Sequence, residues 1–264
     1  MSEISARQLP EEGILREEGQ GYVVLTISAP AFRNACSPEM RETLLEFIQA
    51  ASDDRDCRFI VLTGAGSHFC SGGRVSANIQ PDVERTRRNV GVLQDIARLL
   101  HRGPKPTIAA VEGSAVGAGF SLAMACDYVV AGEGVRFCAS FGKVGLMADA
   151  GLVWTLPLRV GSARARDLLL TGREVRGAEA SEMQLIDRLV PAGGSLAAAI
   201  EAGGRYTAIA PLSLAATKRV MGAVSLDAVL AAEAVEQPQL TLSQDYAEGR
   251  AAFREKRVPV FRGL

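Results

Sequence analysis

The chain has 264 residues, 48% of them hydrophobic and 22% charged, the profile of a globular protein with room for a sizeable core. Its 29 Lys and Arg against 30 Asp and Glu leave a net charge of −1. That balance excludes a global field that draws in nucleic acid or an anionic membrane surface.

Cys36, Cys57, Cys70, Cys126 and Cys138 are odd in number and show no CxxC or Cys/His metal spacing. They read as small buried hydrophobes in a reducing compartment, and no metal site is expected. The start, Met1-Ser2-Glu3-Ile4-Ser5, has no basic segment followed by an apolar one, so no signal peptide is expected. The longest apolar stretch, 107–132, is interrupted by Glu112 and Asp127 and is dense in glycine, which makes it a poor membrane span. The expectation is a soluble, cytoplasmic protein.

In chain order, Gly21 to Ile27 reads as a strand rich in β-branched residues. Ser37 then stands as a cap before Pro38, and the helix that follows carries Leu44, Leu45, Phe47, Ile48 and Ala51 at helical spacing. A strand is predicted over Arg58 to Thr63 and a helix over Asp82 to His101, stopped by Pro104 and Pro106. Thr107 to Val111 is a strand, Ser121 to Cys126 a short buried helix, and Asp127 to Ala131 another strand. Strand, helix, strand, helix, strand, helix, strand predicts a mostly parallel α/β sheet. From about Leu196 the pattern is helix alone, with Gly193 and Gly194 as the break and Ser195 as a cap. The helical segments are Leu196 to Ile209, Pro211 to Val224 and Leu226 to Glu248. A core over 1–195 and a helical region over 196–264 follow.

Two small-residue turns stand out. Phe69-Cys70-Ser71-Gly72-Gly73 comes soon after the strand 58–63, and Gly117-Ala118-Gly119 soon after the strand 107–111. Each reads as a buried strand breaking into a turn whose backbone N–H groups lie open. Two such turns face to face can hold one carbonyl oxygen between two N–H donors, an oxyanion hole.

Several segments carry a family resemblance: Arg33-Asn34-Ala35, 61–73, 108–113 through Asp127, Phe141 to Leu156, 168–172 and 253–257. In order and spacing, over about Gly21 to Gly263, they resemble the crotonase (enoyl-CoA hydratase/isomerase) superfamily. The resemblance implies a crotonase-like ββα-spiral core, a helical C-terminal region engaged in a homotrimer or dimer of trimers, and an acyl-CoA substrate. No cofactor beyond the substrate's own coenzyme A is implied. The two oxyanion donors map to Gly73 and Ala118. Arg74 stands where the family usually has Asp, and Ala118 where it usually has Gly.

The carboxylates depart further. The two Glu residues with which the family's hydratases activate water map to Ser121 and Phe141, and neither residue does acid–base work. Asp149 remains. Its place eight residues after Phe141 resembles that of a catalytic Asp in dienoyl-CoA isomerases and in the ring-1,2-epoxyphenylacetyl-CoA isomerase group. In an apolar pocket with Phe141, Leu146 and Met147 it is expected to have a raised pKa.

The residues leave alternatives open. Asp149 also suits the N-cap of a helix beginning near Ala150, and Ser121 also suits a buried serine satisfied by backbone. Arg33, Phe253 and Lys256 map to CoA-contacting positions in relatives, and equally suit surface packing. Ser71, Ser121 and Phe141 complete the candidate substrate-binding set. His68 and His101 read as solvated. The leading expectation is an acyl-CoA isomerase with Gly73 and Ala118 as donors and Asp149 as proton shuttle. A hydrolase or dehalogenase with Asp149 as nucleophile, a hydratase in the broad family sense, and a non-catalytic acyl-CoA-binding member are the alternatives.

Overall fold

A computed structural model describes residues 11–74, 82–221 and 226–260. The first layer is a six-stranded sheet in the order β1-β2-β3-β4-β6-β9. Its strands are β1 (Gly13–Gly19), β2 (Tyr22–Ser28), β3 (Phe59–Gly64), β4 (Thr107–Val111), β6 (Tyr128–Gly132) and β9 (Arg188–Val190). The β1–β2 hairpin is antiparallel and every other pairing is parallel. A second, three-stranded sheet joins β5 (Ser114–Val116), β7 (Arg136–Cys138) and β8 (Glu174–Arg176) in the order β5-β7-β8.

The parallel strands are near-continuous apolar runs because both sheet faces are covered. Successive side chains point to opposite faces. Leu25, Ile27, Ile60, Leu62, Ala109 and Val111 enter the larger core. That core is roofed by α1 (Pro38–Asp53), α2 (Val83–Arg102) and α3 (Ala118–Ala125). Val24, Val61, Ile108, Ala110 and Val130 enter a smaller core on the opposite face, closed by Ala198 and Ala199 of α7 (Ser195–Gly204).

The remaining helices are α4 (Leu152–Val160), α5 (Ser162–Thr171), α6 (Gly177–Glu182), α8 (Pro211–Met221), α9 (Leu226–Leu240) and α10 (Gln244–Glu255). Lys218 of α8 is buried against the core, its Nζ donating to the Leu100 and Lys105 carbonyls at 2.9 and 2.7 Å and pairing with Asp127. No helix among the described residues is long and apolar enough to cross a membrane. All five cysteines are buried and free.

The α/β expectation holds, with local corrections. Strand β1 escapes the sequence pattern because only Ile14 of its seven residues is buried; an edge strand need not be apolar. The short strands β5, β7, β8 and β9 also escape it, each being only three residues long. The buried helix begins at Ala118, three residues before the expected Ser121. Gly194, not Ser195, occupies the cap position of α7, and that helix ends at Gly204 rather than Ile209. The expected end of the next helix, at Val224, lies outside the described residues. The segment 226–248 is two helices, because Ser243 caps α10 by accepting the Tyr246 N–H at 3.0 Å. His101 is half-buried, its ring edge-on to Trp154 with centroids 4.8 Å apart, rather than solvated.

Candidate active site

The two turns are zipped together beyond the ends of β3 and β4. Phe69 N–H donates to the Glu112 carbonyl at 2.8 Å, Cys70 N–H to Ser114 at 2.9 Å, and Val116 N–H to Cys70 at 3.0 Å. His68 helps hold the pair, its Nδ1 accepting the Ser114 N–H at 3.3 Å. On the other side of the first turn, Cys36 N–H donates to the Gly72 carbonyl at 2.8 Å and Arg74 N–H to the Cys36 carbonyl at 3.3 Å. This parallel bridge leaves the Gly73 N–H out of the ladder.

Ala118 is the first residue of α3, so its N–H is one of the donors that a helix start leaves without an internal acceptor, at the positive end of the helix. Its backbone is not in the left-handed region, so alanine stands there without strain. Two glycines let the turns meet. Gly72 has φ +102, and a methyl group on it would lie 2.9 Å from the Val116 oxygen and 3.6 Å from the Ala118 nitrogen. A methyl on Gly119 would collide with the Cys70 carbonyl. The Gly73 and Ala118 turns are therefore brought side by side.

Asp149 sits in the loop before α4, 9% exposed, with its Oδ1 lacking a hydrogen-bond partner among the described residues. Burial pushes its pKa up to about 6, against the opposing pull of the Arg41 guanidinium and a hydrogen bond with Ser121. It caps no helix: Gly151 holds the cap position of α4, without a side-chain cap bond. Ser121, fully buried on α3, also reaches back to the Gly117 carbonyl at 3.4 Å. It is thus a backbone-satisfied serine and a contact of Asp149 together. Phe141 is buried in the main core.

Two neighbours of Asp149 escaped the sequence analysis. Arg41, on α1, lies against Gly73, where a methyl would be 2.5 Å from its Nη2, and its buried Nε has no partner among the described residues. It faces Cys36 and Cys70, whose thiols burial pushes up to about 12 and about 11. Arg41 therefore faces neutral thiols, the Asp149 carboxyl and, as a smaller effect, Glu39. Glu233, on α9, is fully buried and accepts the Gly151 N–H at 2.9 Å. One signal for it was visible: Leu230, Glu233 and Gln237 recur at helical spacing on the buried face of α9, so polar groups occupy core positions.

The remaining candidates lie apart from this cluster in their contacts. Ser71 spends its hydroxyl on the Phe32 carbonyl at 2.9 Å. Arg33 lines a surface pocket with His68, Ser114, Arg136 and Arg176. Phe253 is 64% exposed on α10, and Lys256 ends that helix in a left-handed conformation. Arg74 pairs with Glu12 and lies 3.8 Å from the centre of the Phe32 ring, which accounts for its side chain.

The family model described as Enoyl-CoA hydratase/isomerase matches residues 17–263. A Rhodobacter capsulatus protein named probable enoyl-CoA hydratase is 36% identical over 251 residues, covering 94% of this chain and 96% of its own. The 1,2-epoxyphenylacetyl-CoA isomerase of Escherichia coli is 34% identical over 260 residues, covering 96% of this chain and 99% of its own. Among solved structures, an enoyl-CoA hydratase from Mycobacterium avium subsp. paratuberculosis superposes with a TM-score of 0.85 at 28% identity, covering 96% of this chain and all of that one.

Proposed function

The chain belongs to the enoyl-CoA hydratase/isomerase family, and on that premise we propose that it is an acyl-CoA isomerase working through a thioester enolate. The Gly73 and Ala118 N–H groups hold the thioester carbonyl. Asp149 removes a proton from carbon, and the C–H electron pair moves through the α-carbon onto the carbonyl oxygen, where the two donors stabilise the developing charge. The enolate then collapses with no net gain or loss of atoms: the same proton is returned to another carbon and a double bond moves, or the electron pair expels a ring oxygen from the neighbouring carbon, the C–O bond breaks, and the proton goes to that oxygen. One carboxyl is sufficient for this shuttle.

The single observation that supports the reading is the Asp149 carboxyl, buried beside Ser121 of α3 with an unpaired oxygen. A pKa near 6 suits a base that must both take and release a proton near neutral pH. Phe141 at the position of the family's second Glu favours isomerisation over hydration, because phenylalanine has no titratable group to activate water. Arg33, Phe253 and Lys256 belong to this proposal as contacts of the coenzyme A chain, Ser71, Ser121 and Phe141 as further substrate-binding residues, and 196–264 as a trimer-forming region.

Solvent-deuterium exchange into an enoyl- or aryl-CoA thioester tests it. Wild type incorporates deuterium and converts substrate, and Asp149→Asn loses at least about 100-fold in rate while still binding the thioester. Equally slow exchange in both with binding retained favours a non-catalytic binding protein. A covalent acyl-Asp149 found by mass spectrometry favours the nucleophile.

A further inference from the structure

Asp149 lies at the start of an unusual turn. Ala150 is a non-glycine residue in the left-handed region, φ 50, and is fully buried, and Gly151 follows at φ 76. Such a backbone persists only where its surroundings hold it. Here the holding groups come from far along the chain. Glu233 of α9 accepts the Gly151 N–H with Oε1 at 2.9 Å and Oε2 at 3.3 Å. One helical turn on, Gln237 grips the loop on the other side of Asp149. Its Oε1 accepts the Met147 N–H at 3.3 Å, and its Nε2 donates to the Met147 carbonyl at 2.8 Å. Residues four apart share a helix face, so one face of α9 brackets Asp149 from both ends. The helix is itself pinned, because Gln94 of α2 donates to the Leu230 carbonyl at 2.6 Å.

We propose that Glu233, supplied by the C-terminal helix α9, is the positioning residue for Asp149: it clamps the left-handed turn that carries Asp149 and is the second carboxyl of the site, titrating together with it. This inference rests on the reading of Asp149 as the proton shuttle. The groups facing the pair are few. Asp149 meets Arg41 of α1 and Ser121 of α3. Glu233 meets Asp149, the N–H groups of Ala150 and Gly151, and the uncharged Gln94 of α2. Arg98 and Arg102 of α2 are engaged with Asp227 toward the start of α9. Among the described residues, Glu233 thus has one charged neighbour, Asp149, of like sign. Burial first, and Asp149 second, push its pKa up to about 8, above that of Asp149, so the two carboxyls titrate as a pair that keeps a proton near neutral pH. As a protonated acid, Glu233 still offers the Gly151 N–H an acceptor oxygen.

An infrared pH titration of wild type, Asp149→Asn and Glu233→Gln tests this without relying on turnover. The expected wild-type signal is a protonated-carboxyl C=O band present at pH 7 and fading near pH 8. In D149N the band fades at lower pH, because the like charge is gone; in E233Q it is absent at pH 7. The kinetic arm uses the same thioester assay. Glu233→Ala lowers kcat about tenfold or more at unchanged KM. E233Q, which keeps an oxygen for the Gly151 N–H, loses less. A wild-type band that titrates identically in D149N, or E233A and E233Q with equal kcat losses, overturns the proposal. If E233A does not fold, the D149N and E233Q titrations still decide it. D149N retaining full turnover while the infrared coupling stands rejects Asp149 as the shuttle and leaves the coupling of the pair intact.

Discussion

Replacing Asp149 by Asn should stabilise the protein as it abolishes the proposed chemistry, by an amount that depends on pH. Burial raises this carboxyl from an ordinary 3.8 to about 6, so the folded state binds the proton more tightly than the unfolded chain. The sign follows from linkage. Below pH 3.8 both states are protonated and nothing is lost. As pH rises from 3.8 to 6 the unfolded state ionises first and folding stability falls. Above 6 the deficit is constant. At about 1.4 kcal/mol for each pH unit, the full deficit is about 3 kcal/mol. Asn removes it, and because the value near 6 already includes the pull of Arg41, the gain is about 3 kcal/mol at pH 7.5. The assay is urea unfolding of wild type and D149N from pH 4 to 8 at one protein concentration, because any association shifts apparent stability. The difference should be near zero at pH 4 and grow to its full value above pH 6. A difference that does not change with pH, or a D149N protein less stable than wild type at pH 7.5, refutes the reasoning.

The other expectations follow from neighbouring contacts. Gly72→Ala forces a side chain into φ +102 with its methyl 2.9 Å from the Val116 oxygen. It should cost about 1–2 kcal/mol in unfolding measurements and, by displacing Gly73 from Ala118, lower kcat about 100-fold or more. Arg41→Met removes the cation that favours ionised Asp149. The rising limb of the pH–rate profile should move above 6, and an unmoved or lowered limb counts against Arg41 acting on Asp149. Lys218→Met strips the pairing from Asp127 in a largely buried site. Differential calorimetry should show a loss of about 2–3 kcal/mol with KM for the thioester unchanged.

Much of the architecture was legible because its determinants are local. Strands β2, β3, β4 and β6 are apolar runs ending at glycine, charge or turn residues, and both sheet faces demand that pattern. Ser37 before Pro38 is a cap whose oxygen accepts three residues on, from the Met40 N–H; Asp82, read as the first residue of its helix, is instead its cap and accepts from Arg85. The two turns at Gly73 and Ala118, which the structure brings side by side, were likewise legible as small-residue breaks after buried strands.

What the sequence left open about Asp149 was its use, cap or acid. That depends on where the α4 cap falls and on which groups crowd the carboxyl, and both are set by residues far along the chain. Arg41, 108 positions earlier, and Glu233, 84 positions later, converge on it only because α1 and α9 both pack against α2. Local propensity determines the turns and their donors. Desolvation and the charges that tune a buried carboxyl belong to the tertiary fold, because they depend on distance in space and not on spacing along the chain.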